Sequence, residues 1–286
     1  MTRVVDAHHH FWDPSRRDYY WMARELDPIR RPFSPHDLEP LLMESQVEKT
    51  IVVQTLPSLA ETREFLATAA GSSFVAGVVG WVDLTDPDVA GTIAELRAGP
   101  GGRHLVGVRH QVHDEPDAGW LLRKEVARGI EAVGGAGLVY DLLVRTRELP
   151  AALEVVRRFP DARFVVDHIA KPRIAAGPVD AEWERAMAPF GECPNVSCKL
   201  SGMVTEASWT AWTPSDLEPY VRRALAWFGP ERCLFGSDWP VCLVAAPYAN
   251  VVDALRFAIR DLDAAERDAV MGGTAIRVYE LGDLIH

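Results

Sequence analysis

No hydrophobic run in the chain approaches the roughly 20 residues that a membrane helix needs, so no membrane partner is expected. No G-x-G-x-x-G or P-loop follows any apolar run, which argues against an open sheet built around a dinucleotide or nucleotide phosphate. Cysteine is scarce. Cys193, Cys198, Cys233 and Cys242 form neither a C-x-x-C nor a cysteine–histidine zinc pattern, and reduced thiols in a cytoplasmic protein are the expectation. Basic charge is also short: 30 Lys and Arg against 41 Asp and Glu give a net charge of −11. The arginines are scattered rather than gathered in a stripe, so nucleic acid is not an expected partner. The opening MTRVVDAHHHFW has neither the apolar stretch nor the small-residue cleavage site of a signal peptide. No linker, low-complexity block or like-charge run divides the chain, and residues 1–286 read as one domain. At 48% hydrophobic and 25% charged, enough apolar side chain is present to offset the entropy of ordering.

What recurs is a short, β-branched apolar run followed by a helical stretch. Candidate strands are Arg3 to His10, Thr50 to Thr55, Val75 to Asp83, Leu105 to Val112, Gly137 to Leu142, Arg163 to His168, Asn195 to Ser201 and Cys233 to Asp238. Near-continuous apolar runs of this kind fit strands buried on both faces of a parallel sheet. Helix starts are marked between them. Ser58-Leu59-Ala60-Glu61 reads as a capping box, and Asp86-Pro87 and Ser34-Pro35 place a cap before proline, the latter ahead of a helix from His36 to Val47. Pro214 to Phe228 reads as a helix ended by Gly229-Pro230, and Pro247 to His286 as two or three closing helices. Eight strands alternating with helices predict a (β/α)8 TIM barrel of the α/β class with extra C-terminal helices.

In such a barrel the chemistry sits at the C-terminal strand ends. Those ends carry His8-His9-His10, Gln54, Arg109-His110-Gln111, Asp141, Asp167-His168 and Ser237-Asp238. Side chains alternate along a strand, so His8 and His10 face one way and His9 the other. Two imidazoles so spaced suit one divalent ion, zinc by preference, or an oxyanion. His168 ends its strand opposite that pair, as a site residue or a satisfied buried histidine. Lys171 follows it, as a cation over an anionic substrate group or a solvated loop residue. Asp238 closes a buried strand, where a carboxylate is costly unless employed, and general-base work on a water molecule fits it. Arg109 and His110 face opposite ways. Either one enters the barrel mouth, where Arg109 could polarise a carbonyl or only close a salt bridge. Trp12, Trp81, Trp209, Trp212 and Trp239 lie near strand ends, for ring stacking or for packing. Met203 and Met271 read as packing residues.

The motifs D-A-H-H-H-F-W, G-V-R-H, V-D-H-I-A-K-P and F-G-S-D-W-P, with Gly272 to Tyr279 near the end, resemble the amidohydrolase superfamily over nearly the whole chain. Within it they are similar to the TIM-barrel lactonases acting on fuconolactone, rhamnonolactone or 2-pyrone-4,6-dicarboxylate. The resemblance implies hydrolysis of a small lactone, most readily a sugar-acid lactone, in carbohydrate catabolism. It implies Asp238, His168 and Arg109 as catalytic residues, with Gln54, His110, Lys171 and Trp239 around the substrate. It also implies either one divalent metal on His8, His10 and Asp238 or no metal. No lysine ends strand four and no histidine ends strand five, which removes the ligands of a two-metal site. Two other readings are carried: a metal-dependent non-oxidative decarboxylase of an aromatic or unsaturated acid, and a non-catalytic metabolite-binding barrel. Ring size and oligomeric state, a homo-oligomer included, are left open by the sequence.

Overall fold

A computed structural model of the chain describes residues 3–177 and 179–285. Eight parallel strands follow one another in chain order: β1 (Val5–His9), β2 (Lys49–Val53), β3 (Val75–Gly80), β4 (Leu105–His110), β5 (Val139–Leu142), β6 (Arg163–Val166), β7 (Val196–Leu200) and β8 (Cys233–Phe235). The sheet closes on itself past β8, where Asp238 N donates to His8 O at 2.8 Å and His10 N to Trp239 O at 2.7 Å. Helices α1 (Pro35–Ser45), α2 (Leu59–Gly71), α3 (Val89–Ala98), α4 (Lys124–Gly135), α5 (Leu149–Arg158), α6 (Ala181–Met187), α7 (Met203–Glu206), α8 (Pro214–Phe228) and α9 (Tyr248–Ala258) accompany it. The expected (β/α)8 barrel is therefore the fold.

Two apolar layers hold it. The larger lies between strands and helices, and the smaller fills the barrel's lower interior. In the smaller, Val5, Ile51, Val79, Val139 and Val165 meet Val278, Tyr279 and Leu281, so the C-terminal segment plugs the barrel floor. Each buried aliphatic side chain contributes about 1.5–3 kcal/mol. That segment is the continuous run α10 (Ala264–Asp268), a π-turn over Ala269–Gly273 and α11 (Thr274–Val278). Gly272 lets it close in, since a Cβ there would stand 1.9 Å from Arg3 O. With α9 these are the expected closing helices, although His286 lies outside the described residues.

Several boundaries differ from expectation. Most strands end one to three residues early, because the chain turns out of the ladder where the polar residues begin. His168 and Asp238 already have left-handed φ of 52° and 59°. α1 has a capping box between Ser34 and Asp37 and stops at Ser45, where Gln46 turns left-handed before Val47. Asp86 does not cap α3. It accepts from Asp88 N at 2.8 Å in a turn, and the helix begins at Val89. Only half of the Ser58 box forms: Ser58 Oγ accepts from Glu61 N at 3.2 Å. The Glu61 carboxylate turns instead to Thr55 N at 2.7 Å and Leu56 N at 3.0 Å, because the loop after β2 leaves those donors buried. α8 runs over the expected residues. All four cysteines are free and buried, and no helix among the described residues is long and apolar enough to cross a membrane.

Candidate functional site

The site is assembled as a column along the barrel axis. At its base the Tyr279 hydroxyl, rising from the plug, donates to Asp141 at 2.8 Å. Asp141 accepts from Lys199 Nζ at 2.5 Å, and the same ammonium lies 2.9 Å from Asp167 Oδ1. Asp167 Oδ2 accepts from Arg109 Nη1 at 3.0 Å. Every group in this stack is buried, with Lys199, Asp141 and Asp167 at 0% exposure. Such charges persist only because each is paired. Burial pushes Asp141 up, against the pull of Lys199, while Lys199, His8 and Arg109 overcome burial and hold Asp167 well below the carboxylate range.

Above this stack stand the histidines. β1 is pinned at Asp6, whose carboxylate accepts from His8 N at 3.1 Å, Ser237 N at 2.9 Å and the Tyr248 hydroxyl at 3.0 Å. Asp6 thus fastens β1 to the end of β8, and its pKa is pushed up to about 6 by burial. His9 turns outward to the Thr50 hydroxyl at 2.8 Å, and burial pushes it down to about 3. His8 and His10 turn inward together, as strand alternation predicts. His10 Nδ1 faces Val53 O at 2.7 Å. A carbonyl only accepts, so Nδ1 carries a proton, and in the neutral ring Nε2 presents a lone pair. That Nε2 lies 3.3 Å from Asp238 Oδ1. Two acceptors so close need a proton or a cation between them.

Arg109 Nη1 lies 3.2 Å from His8 Nε2, which must accept, and His8 Nδ1 lies between Lys199 Nζ at 3.3 Å and Asp167 Oδ1 at 3.4 Å. His168 is fixed from behind by the Ser201 hydroxyl at 2.9 Å, with its Nε2 3.9 Å from Asp238. Gly202, at φ 63°, leaves room for that ring, since a Cβ there would stand 2.5 Å from His168 Nδ1. The turn bearing His168 is left-handed through Ile169, Ala170 and Lys171, a conformation costing about 1–2 kcal/mol per residue that the surrounding packing must impose. Burial pushes His8 and His168 well below the ordinary imidazole value, so both are neutral at pH 7. Burial would raise Asp238, but His168, His10 and Lys171 hold it below the ordinary carboxylate value, so it is ionised.

Asp238, His10, His168 and Arg109 open into a cavity of about 370 Å³. Its charged lining balances: Arg109, Arg145 and Lys171 against Asp114, Glu206 and Asp238. Trp21, Leu26 and Trp209 add apolar surface to the lining.

Among the residues expected here, His10, Arg109, His168, Lys171 and Asp238 line the cavity, and His8 stands just beneath it. Arg109 rather than His110 enters the barrel. His110 is a correction: it is held away, stacked on Trp120 at 4.3 Å and facing Glu115 at 2.8 Å. Gln54 is buried behind Arg109. Its Oε1 and carbonyl accept from Nη2 at 3.3 and 2.5 Å, so it orients the guanidinium and lies outside the cavity lining. Trp239 is also outside, at 1% exposure and packed edge-on to Phe33 and Phe11. Trp12, Trp81 and Trp212 do not line the cavity, whereas Trp209 does. Lys199, which sits within an apolar strand, was not legible in the sequence, nor were Ser201, Trp21, His113, Arg145 and Glu206. The last four lie in segments after the strands, on loops or single helical turns too short to show periodicity.

A single divalent ion fits these residues. His8, His10 and Asp238 are buried and each offers one donor atom, all within 4.8 Å of one another. The two histidine Nε2 lone pairs and one carboxylate are a donor set that suits a metal such as zinc.

The amidohydrolase family profile matches residues 5–281. A Burkholderia ambifaria protein named L-fucono-1,5-lactonase is 43% identical, covering 98% of this chain and 97% of its own. A Burkholderia multivorans protein of the same name is 39% identical, covering 97% and 96%. A solved Burkholderia multivorans amidohydrolase structure with bound zinc superposes with a TM-score of 0.92 at 36% identity, covering 97% of this chain and 99% of that one.

Proposed function

The chain belongs to the amidohydrolase family, and on that premise we propose that it opens the ring of a sugar-acid lactone, a 1,5-aldonolactone by preference. The observation that carries this reading is Asp238: ionised, buried, and turned into the cavity beside His10, His168 and Arg109. The cavity lining has no surplus of Lys and Arg over Asp and Glu, which supports a neutral polyol ring over a dicarboxylate.

In the proposed reaction a water molecule beside Asp238 attacks the lactone carbonyl carbon. Asp238 takes the water's proton, and a tetrahedral oxyanion forms. The Arg109 guanidinium and a His168 N–H donate to that oxyanion, the kind of fixed donor whose removal costs about 10²–10³ in rate. Collapse breaks the ring C–O bond, and Asp238 returns its proton to the departing alkoxide. The product is the open hydroxy acid. Gln54 and Asp167 keep Arg109 aimed by three hydrogen bonds, so little reorganisation accompanies the charge development. A divalent metal held by His8, His10 and Asp238 would supply Lewis-acid polarisation of the carbonyl and a more acidic water.

The test is proton release in weakly buffered indicator solution against 1,5- and 1,4-aldonolactones. Wild type is compared with Asp238→Asn, each with and without a chelator. Acidification by wild type with a loss of 10³-fold or more in Asp238→Asn is expected. Equal rates for the two proteins, or no acidification with any lactone, would overturn the reading.

A further inference from the structure

At the mouth of the barrel, two successive segments bring opposite charges together on the cavity lining. The left-handed turn after β6 delivers Lys171, and the short α7 after β7 delivers Glu206. Lys171 Nζ lies 3.3 Å from Glu206 Oε1, and each side chain keeps 17% of its surface exposed. Both line the cavity that holds Asp238 and His168, and the Lys171 charge reaches Asp238, His168 and Asp114. Beside them the Trp209 indole is tied by its N–H to Thr205 O at 2.9 Å, one residue before Glu206.

Lys171 is therefore not an unpaired cation waiting for a carboxylate. Its charge is already met, and an anionic group brought to it would also meet Glu206. The pair nonetheless keeps much hydrogen-bonding capacity. An ammonium has three donors and a carboxylate about four acceptor positions, while the bond between them is the single side-chain hydrogen bond that either makes among the described residues. A neutral hydroxyl can use both, accepting from the ammonium and donating to the carboxylate. Adjacent ring hydroxyls can span the two, with the ring's C–H face against Trp209.

We propose that Lys171 and Glu206 form the subsite that recognises the ring hydroxyls of the lactone, and that Glu206 is a specificity-determining residue of this enzyme. This rests on the lactonase reading and deepens it. The pair selects polyhydroxylated lactones over bare ones, while Asp238 and Arg109 act on the carbonyl that both share.

The test compares wild type with Glu206→Gln on two six-membered rings, L-fucono-1,5-lactone and δ-valerolactone, which has no hydroxyl groups. The quantity read is the ratio of kcat/KM for the first over the second. Loss of hydrogen bonds to a charged acceptor predicts that this ratio falls by about ten- to a hundredfold, mostly through KM on the hydroxylated ring. A general distortion of the site lowers both substrates alike and leaves the ratio unchanged. A ratio within twofold of wild type therefore overturns the proposal. Should wild type open neither ring nor any other lactone of the panel above, the lactonase reading fails, and calorimetric binding of L-fucose to the same two proteins decides the subsite. Weaker binding to Glu206→Gln supports it, and equal binding overturns it.

Discussion

Lys199 and Asp167 meet at 2.9 Å in the middle of the barrel, both fully buried, and this contact joins the plug below to the site above. The same ammonium holds Asp141, and the same carboxylate holds Arg109. Lys199→Met leaves two buried carboxylates short of a countercharge, so a loss of about 3–5 kcal/mol is expected in urea unfolding. Adding Asp141→Asn removes one of those carboxylates and should restore part of that loss. Additive losses in the double variant would show that the two residues are not coupled.

Arg109 and a metal ion draw on the same lone pair, since Nη1 lies 3.2 Å from His8 Nε2. Arg109→Met removes both a competing donor and a like charge. Zinc affinity, read by competition with a chromophoric chelator, should rise about tenfold, while lactone turnover falls by about 10²–10³. Unchanged or weaker zinc binding would show that the guanidinium does not oppose the ion.

Gly202→Ala combines a residue at φ 63° with a Cβ 2.5 Å from His168 Nδ1. The stability cost should be about 1–3 kcal/mol. Displacement of His168 should lower kcat more than tenfold, because misplacing a site group by about 1 Å costs about 10² in rate. Full activity in a folded Gly202→Ala protein would mean that His168 has no positional role.

Acid stability follows from the buried neutral histidines. Burial, with Lys171, Arg145 and Arg109, pushes His113 down to about 2, and burial pushes His9 to about 3. An unfolded histidine takes a proton near pH 6.5, whereas these two stay neutral while folded. Below pH 6.5 the unfolded state holds more protons, so stability falls as pH falls. The slope is about 1.4 kcal/mol per pH unit for each proton. Between pH 6.5 and 5, His113→Asn should flatten the urea-derived profile by about one proton. A profile parallel to wild type would mean that His113 charges in the folded protein.

The barrel was readable because parallel strands buried on both faces need continuous β-branched runs, and eight of them stand in line. Five residues that the structure gathers at the cavity or just beneath it were readable for a related reason. His8 and His10 follow from strand alternation, and Arg109, His168 and Asp238 from the rule that the C-terminal strand ends carry chemistry. His110 and Trp239 were assigned to the site because adjacency in sequence does not say which neighbour turns inward. Arg109 turns inward because Asp167 and Gln54 wait for it there, and both are distant in sequence.

By itself, then, the sequence determined the strand order, the rim on which polar groups gather and the paired inward histidines, all consequences of local periodicity. Tertiary structure decided the rest. Lys199 looks like one charge within an apolar strand until Asp141, Asp167 and Tyr279 arrive from three other parts of the chain. Lys171 looks like a free cation until the next loop brings Glu206 to it. Which buried charges are tolerated, and which polar atoms are left for a ligand, depends on partners that only the closed barrel brings within hydrogen-bonding distance.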